Sequence, residues 1–325
     1  MATTTIAVPS FTGERIANLV ASLHDVVHDE NRVVLDFSEV GYAEPHATLV
    51  AACAIQTLGR ERVRAGRDLA FSGYDSGRAQ NYLSHVGFFQ LIGVKCGNAP
   101  GAAEGSRSYV PITMLRRDTV LGKREPDYEH LHFKCDCLAK TVAPNETQKR
   151  FRQALSYAFR EAIRNALEHS GASTCAIMAQ SRFGQVAEVA VLDAGRGIAA
   201  SLADNPSHRN ITPEAALLRA LKPGVSRCPP QHATNAGLGL YVLSELARRN
   251  GHLWLWSSGC QLAVDSKGMR TTPGCDLSMD GRPGTAFRLR VSLASTSDWE
   301  AWFDNALSSV KEEAGGGSRS PSRLG

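Results

Sequence analysis

A carboxylate and an amide, Glu161 and Asn165, sit four residues apart within FRQALSYAFREAIRNALEHS. At about 100° per residue in a helix, their side chains stack one turn above the other and can address one ligand. They lie, with Glu168, at the edge of a face made by Phe151, Ala154, Leu155, Ala158, Ala162 and Ala166. Alone, such a pair is usually a solvated helix surface; three later segments change that reading.

The first is Leu192-Asp193-Ala194-Gly195-Arg196-Gly197-Ile198, an acid closing an apolar strand and followed by alternate glycines. The glycines let backbone approach a flat ligand, and the carboxylate can accept a hydrogen bond from an exocyclic amine, which suits an adenine. Gly195, Gly197 and Ala200 also fit a G-x-G-x-x-A dinucleotide fingerprint. That reading fails on two counts. Asp193 would crowd the pyrophosphate, and the stretch about 20 residues on (Thr212-Pro213-Glu214) opens a helix rather than ending a second strand in an acid. The second segment, Asn235-Ala236-Gly237-Leu238-Gly239-Leu240-Tyr241, precedes a helix running to about Asn250, whose free backbone N–H groups and dipole suit phosphates. No G-x-x-x-x-G-K-[ST] occurs, so this is not a P-loop. The third is Gly284-Thr285, opening a strand over Ala286 to Leu293.

The elements that must position these groups follow from pattern. Strands are predicted near Thr174–Ser181, Val186–Leu192, Trp254–Trp256 and Leu262–Val264, and a capped helix over Thr212–Leu221. EHLHFKCDCLA reads as a strand with Leu131, Phe133, Cys135 and Cys137 on one face; Cys-x-Cys lacks the two-to-four residue gap usual for zinc, so buried thiols are expected. Upstream, a strand at Ile6–Val8, helix Thr12–Glu30, strand Arg32–Phe37, helix Ala47–Ala65, strand Asp68–Ser72 and helix Arg78–Val86 give a β-α-β-α-β-α order. The glycine-rich Gly97 to Ser108 separates the two parts.

At 325 residues the chain is long enough for about two domains of ~150 residues each. Its 43% hydrophobic and 21% charged content is that of a folded globular protein. The net charge of +4 is spread along the sequence, so nucleic acid is not an expected partner. No apolar run reaches the roughly 18 residues of a membrane helix, and residues 1 to 11 lack the features of a secretory signal, so a cytoplasmic location without membrane attachment is expected. The eight scattered cysteines are expected to be free thiols.

Residues 145 to 293 resemble the GHKL ATP-binding fold of sensor histidine kinases, anti-sigma serine kinases, type II topoisomerases, mismatch-repair proteins and the heat-shock chaperone ATPase. EAIRNALEHS stands as the N box, DAGRG as the first glycine box, AGLGL as the second and Gly284-Thr285 as the last. VVLDFSEVGYAEPHATLVAACAI with NYLSHVGFFQLIGV more faintly resembles the STAS domain of anti-sigma-factor antagonists. There a Ser or Thr opening the helix after the "LD" strand is phosphorylated; here the stretch reads Ala43-Glu44-Pro45-His46-Ala47-Thr48, and Thr48 reads better as an aid to the helix start.

The resemblances imply an α/β protein: a two-layer α/β sandwich of the Bergerat type with a mixed sheet over 109–294, preceded by a small STAS-like unit over 1–96 and a linker over 97–108. A C-terminal helix over 295–314, with Trp299, Trp302, Phe303 and Leu307 on one face, and a flexible tail over 315–325 complete the chain. They imply ATP and Mg²⁺ as ligands, Asn165 as the metal ligand, Glu161 as the catalytic general base, and Asp193 with Thr285 at the adenine. Gly195, Gly197, Gly237, Leu238, Gly239 and Leu240 shape the pocket. His169 reads better as a helix cap than as a nucleotide contact. The 39 residues between Gly197 and Gly237 correspond to the family's ATP lid, where Lys222, Arg227 and His232 could reach phosphates. His24-Asp25 and His28-Asp29 mimic His–acid pairs but read as a solvated face, so histidine autophosphorylation is disfavoured. Three activities follow: slow ATP hydrolysis coupled to lid closure and partner switching, serine/threonine phosphorylation of the anti-sigma type, or a non-catalytic ATP-gated interaction module. A protein partner in a regulatory pathway is expected in each, and a homodimer is compatible with all.

Overall fold

The computed structural model describes residues 2–120, 128–145, 149–182, 185–223, 225, 239–274 and 284–292. The first part alternates as the pattern predicts: β1 (Thr3–Ala7), α1 (Ile16–Asp25), β2 (Arg32–Asp36), α2 (Pro45–Arg64), β3 (Leu69–Ser72), α3 (Arg78–His85) and the short α4 (Phe88–Leu91). The three strands pair in parallel in the order β1-β2-β3. Helix α1 ends at Asp25, short of the expected Thr12–Glu30, and carbonyls of the chain that follows it are claimed by a distant side chain. The fully buried Arg62 donates to the carbonyls of Val26 and Asp29 at 2.9 Å each, of Asn31 at 2.6 Å and of Asp68 at 3.0 Å. An arginine that closes a helix end in this way leaves none of those acceptors without a partner.

The second part contains β4 (Tyr109–Arg116), α5 (Arg117–Val120), α6 (Tyr128–Val142), α7 (Lys149–Arg164), β5 (Thr174–Arg182), β6 (Val186–Asp193), α8 (Gly197–Leu202), α9 (Pro213–Ala220), α10 (Gly239–Asn250), β7 (Gly251–Ser257), β8 (Cys260–Asp265), β9 (Gly268–Pro273) and β10 (Thr285–Ser292). Its seven strands form one sheet in the order β4-β5-β6-β10-β7-β8-β9. The α/β class is the one expected. Within the sheet, however, every described pairing is antiparallel where a mixed sheet was predicted.

Two local expectations are corrected. EHLHFKCDCLA lies in helix α6, not a strand: Leu131, Cys135, Leu138, Ala139 and Val142 are buried at helical spacing, while Phe133 is exposed. Only Cys135 of the two cysteines enters the core, and Cys137 is half-buried. The period-two reading matched four residues and missed the longer three-to-four repeat. Strand β9, rich in polar residues and mostly exposed, has no apolar alternation and was not predicted. The expected helix over 295–314, the tail over 315–325, Gly237, Leu238, Arg227 and His232 lie outside the described residues. No described helix is long and apolar enough to cross a membrane.

Alternation along the strands divides the large sheet into two faces. Ile177, Val189, Val191, Leu253, Leu255 and Leu289 pack under α6, α7 and α10, whose Leu138, Leu155, Phe159 and Leu246 complete one core. Their neighbours Ala176, Ala190, Leu192, Trp256 and Ala286 face the other way and join the core of the first part. Helix α2 lies on β5, β6 and β10 of that second face. It can approach closely because small residues meet: Ala47, Ala51 and Ala52 on the helix, Ala176, Ala190 and Ala286 on the strands. Thr48 is fully buried in this helix, and its hydroxyl donates to the Glu44 carbonyl at 2.7 Å. This is a bond back to the preceding turn rather than the expected aid to the helix start, because the hydroxyl donates to a carbonyl and caps no free amide.

The seam is also tied by charge. Arg288 Nη2 of β10 donates to Glu44 Oε2 at 2.9 Å and to Glu188 Oε2 at 2.7 Å, all three side chains being nearly excluded from solvent. The His46 amide donates to Glu188 Oε1 at 3.0 Å and the Gly13 amide to Glu44 Oε2 at 2.9 Å. Burial pushes the Glu188 carboxyl up, Arg288 pulls it back, and Glu44 pushes it up again.

Candidate functional site

Helix α7 is amphipathic, and its last turn changes geometry. From Asn165 to His169 the backbone continues as a π-helical turn, ended by Ser170. Such turns widen the helix and are frequent at functional sites. Here the turn lies at the mouth of a cavity of about 120 Å³. Glu161, Asn165 and His169 come to it from the helix, Asp193 from the end of β6, Gly197 and Ile198 from the start of α8. Gly239 and Leu240 enter from the start of α10, and Thr285 from the start of β10. The structure thus brings Glu161, Asn165, Asp193, Gly197, Gly239, Leu240 and Thr285 around one space, though they span 125 positions of the chain.

Asp193 is almost fully buried, and its carboxylate accepts from the Gly195 amide at 2.8 Å. Burial lifts its pKa to about 7, with the Gly195 hydrogen bond opposing the rise. A carboxylate in this setting gains from a neutral N–H donor, because a hydrogen bond to a charged acceptor is stronger than one between neutral groups. Gly195 does not line the cavity itself; its carbonyl accepts from the Gly284 amide at 2.8 Å, which ties the first glycine turn to the start of β10. Gly197 has a φ of +78°, a conformation open to glycine and strained for a side chain.

Glu161 is also buried, and burial raises its carboxyl while Arg164 and Arg160 pull it down. Arg164 Nη1 donates to it at 3.4 Å, and Arg160 Nε stands at 3.8 Å. Arg164 is shared: its Nε donates to Glu168 at 2.7 Å, which accounts for the second acidic residue of the helix edge. Gly239 packs directly on Glu161, and a Cβ at that position would overlap the glutamate side chain. The glycine at the start of α10 is therefore a condition for bringing that helix end to the carboxylate.

Two residues escaped the sequence reading. The Ser257 hydroxyl, at the end of β7, accepts from the Ile198 amide at 2.9 Å and donates to the Gly284 carbonyl at 3.0 Å. It also lies 3.3 Å from the Thr285 hydroxyl, so one buried side chain joins three walls of the cavity. Nothing in its local sequence marks it. Ser170 closes the π turn, bonding the Ala166 carbonyl and receiving the Ala172 amide at 2.9 Å; its place at the end of ALEHS was a usable signal. The His169 carbonyl accepts from Arg196 Nε at 3.2 Å. In the interval after Gly197, α9 is capped as expected, with Thr212 Oγ1 accepting from the Ala215 amide at 3.2 Å, and it packs on α8 and the β7–β8 side of the sheet. Ala220 and Val225 line the cavity, whereas Lys222 is exposed and does not.

A helix-covered antiparallel sheet with an acid at a strand end and a glycine at each of two helix starts facing a carboxylate–amide helix is the arrangement of a nucleotide-binding α/β sandwich. Residues 151–295 match the family model of the Histidine kinase-, DNA gyrase B-, and HSP90-like ATPase, and this part of the chain is an ATP-binding domain of that GHKL family. Comparison with curated proteins and comparison with solved structures each returned no match.

Proposed function

We propose that the chain is a Mg²⁺–ATP-binding regulatory protein that hydrolyses ATP slowly and couples closure of the interval after Gly197 to a change of protein partner. The observation that supports this most is the meeting of Glu161, Asn165, Asp193 and Thr285 around one cavity. In this reading the Asp193 carboxylate accepts from the adenine amine beside Thr285. Gly197, Gly239 and Leu240 shape the pocket, Gly195 holds the first glycine turn to the start of β10, and backbone amides at the start of α10 face phosphate.

The donor set fits a hard cation: the Asn165 amide oxygen lines the cavity one turn from a buried carboxylate. Asn165 would hold Mg²⁺, which when bound neutralises phosphate charge. Glu161 orients the attacking water and takes its proton. Its ion pairs with Arg164 and Arg160 make it a poor base until they loosen, which agrees with slow turnover. The faint STAS resemblance of the first part supports partner switching by analogy. The experiment is incubation of the purified chain with γ-labelled ATP, alone and with cell extract. Free phosphate that disappears in Glu161→Ala supports hydrolysis. Label appearing on a partner protein would instead establish a serine/threonine kinase, and tight binding with neither product an ATP-gated module.

A further inference from the structure

The face of the large sheet that α2 leaves uncovered forms a second and larger cleft. It encloses about 1050 Å³ between β7 and β10 on one side and residues 10–15 and 42–46 of the first part on the other. Its composition differs from that of the nucleotide cavity. Trp254, Trp256, Tyr42, His46 and His252 give it aromatic walls, with His252 stacked on Trp254 at 5.2 Å and His46 edge-on to Trp256 at 5.0 Å. Arg15, Arg249, Arg288 and Arg290 line it against Glu14 and Glu44, and counting Glu188 behind the wall still leaves the cations in excess.

Its wall holds a cluster of unmet polar atoms. Tyr42 Oη, both ring nitrogens of His46, Trp256 Nε1 and Arg288 Nε are buried with no hydrogen-bond partner among the described residues. His46, Trp256 and Arg288 are each more than nine-tenths buried. A native fold pairs nearly all such atoms, and each one left alone costs about 1–3 kcal/mol, so these five, sealed just beneath the cleft surface, would gain from an occupant that draws the wall open. Trp256 Nε1 and Arg288 Nε can only donate, so that occupant must present acceptors. Arg288 lies over the Trp254 ring at 4.5 Å, extending the flat aromatic wall with a cation.

We propose that this cleft is a binding site for a small aromatic carboxylate, the ring lying along Trp254 and the carboxylate meeting the donors and arginines of the seam. Ring and charge are both required, and neither alone suffices. The site stands apart from the ATP cavity, since α7, α8 and α10 supply that one from the opposite face of the sheet.

The test is calorimetry on the full chain with three probes: 2-naphthoate, 2-naphthalenemethanol and inorganic phosphate. The expected result is one molecule of 2-naphthoate per chain, with the alcohol at least tenfold weaker and phosphate without measurable heat. Trp254→Leu and Arg290→Gln should each weaken naphthoate at least tenfold, Trp254→Phe should retain it within threefold, and Asp193→Ala should leave it unchanged. The Arg290 side chain is 40% exposed and only 3.9 Å from Glu44 at its nearest, so its variant tests the site with little threat to folding. The proposal is overturned by absence of naphthoate binding, by equal binding of the alcohol or of phosphate, by indifference to both cleft variants, or by loss in Asp193→Ala, which would assign the ligand to the adenine pocket.

Discussion

The two faces of the seven-stranded sheet solve the problem of buried charge in opposite ways. On the helical face, Asp193 is buried with neutral hydrogen-bond partners, the Gly195 amide and the Ser170 side chain. On the other face, Arg288 is closed between Glu44 and Glu188, so the charges satisfy one another within the protein. The first arrangement keeps a buried carboxyl at the expense of stability; the second fixes how the two parts of the chain meet. A buried ion pair of the second kind is weak evidence for net stabilisation, yet breaking one partner out of it is severe.

That contrast predicts its own largest effect. Arg288→Ala leaves two carboxylates buried without a cation and should cost about 3–5 kcal/mol, lowering the melting temperature by about 10 °C, whereas Arg288→Met with Glu44→Gln and Glu188→Gln should recover most of the loss. A melt unchanged by Arg288→Ala would show that the seam is not held by this network. On the nucleotide side, Asp193→Ala should weaken MgADP by roughly 10- to 100-fold, the loss of about 1.5–3 kcal/mol for a charge-assisted hydrogen bond, with the fold intact by circular dichroism.

Titration should separate Asp193 from His46 by sign. Asp193 holds its proton in the folded state up to about 7, well above its unfolded value, so the stability it contributes is complete in acid and is lost as pH rises through 7. His46 behaves in reverse. Burial, aided by Arg288, depresses it to about 3, so it stays neutral when folded, and its contribution is complete above 6.5 and lost as pH falls toward 3. Thermal melts without nucleotide from pH 4.5 to 8 should therefore show slopes of opposite sign removed by Asp193→Asn and by His46→Gln, each at most about 1.4 kcal/mol per pH unit. Like signs would defeat the comparison. The smallest effect belongs to Ser257→Ala, which frees the Ile198 amide and should weaken MgADP by about 1 kcal/mol, or some fivefold in calorimetry.

The nucleotide side was far more legible in the sequence than the seam. Glu161, Asn165, Asp193 and the glycines are held by short-range rules: a helical turn, a strand end, a helix start. Gly239 shows the limit, since its packing on Glu161 joins residues 78 positions apart and only the fold reveals it. The seam depends wholly on such distant pairings. Glu44 and Arg288 lie 244 positions apart, and no local pattern distinguishes them from surface charges. The alanines of α2 were read as an ordinary helix, although their small size is what lets the first part lie against the sheet. The strand predicted over Glu129–Ala139 failed for the opposite reason: a window too short to show that Leu131, Cys135, Leu138 and Val142 share one helical stripe.

The burial of Thr48 carries a consequence for any regulation directed at the first part. Its hydroxyl is sealed beneath the sheet and already spent on the Glu44 carbonyl. An enzyme seeking that oxygen must find α2 already lifted away, so a covalent mark at this position would record that the two parts had come apart rather than drive them apart.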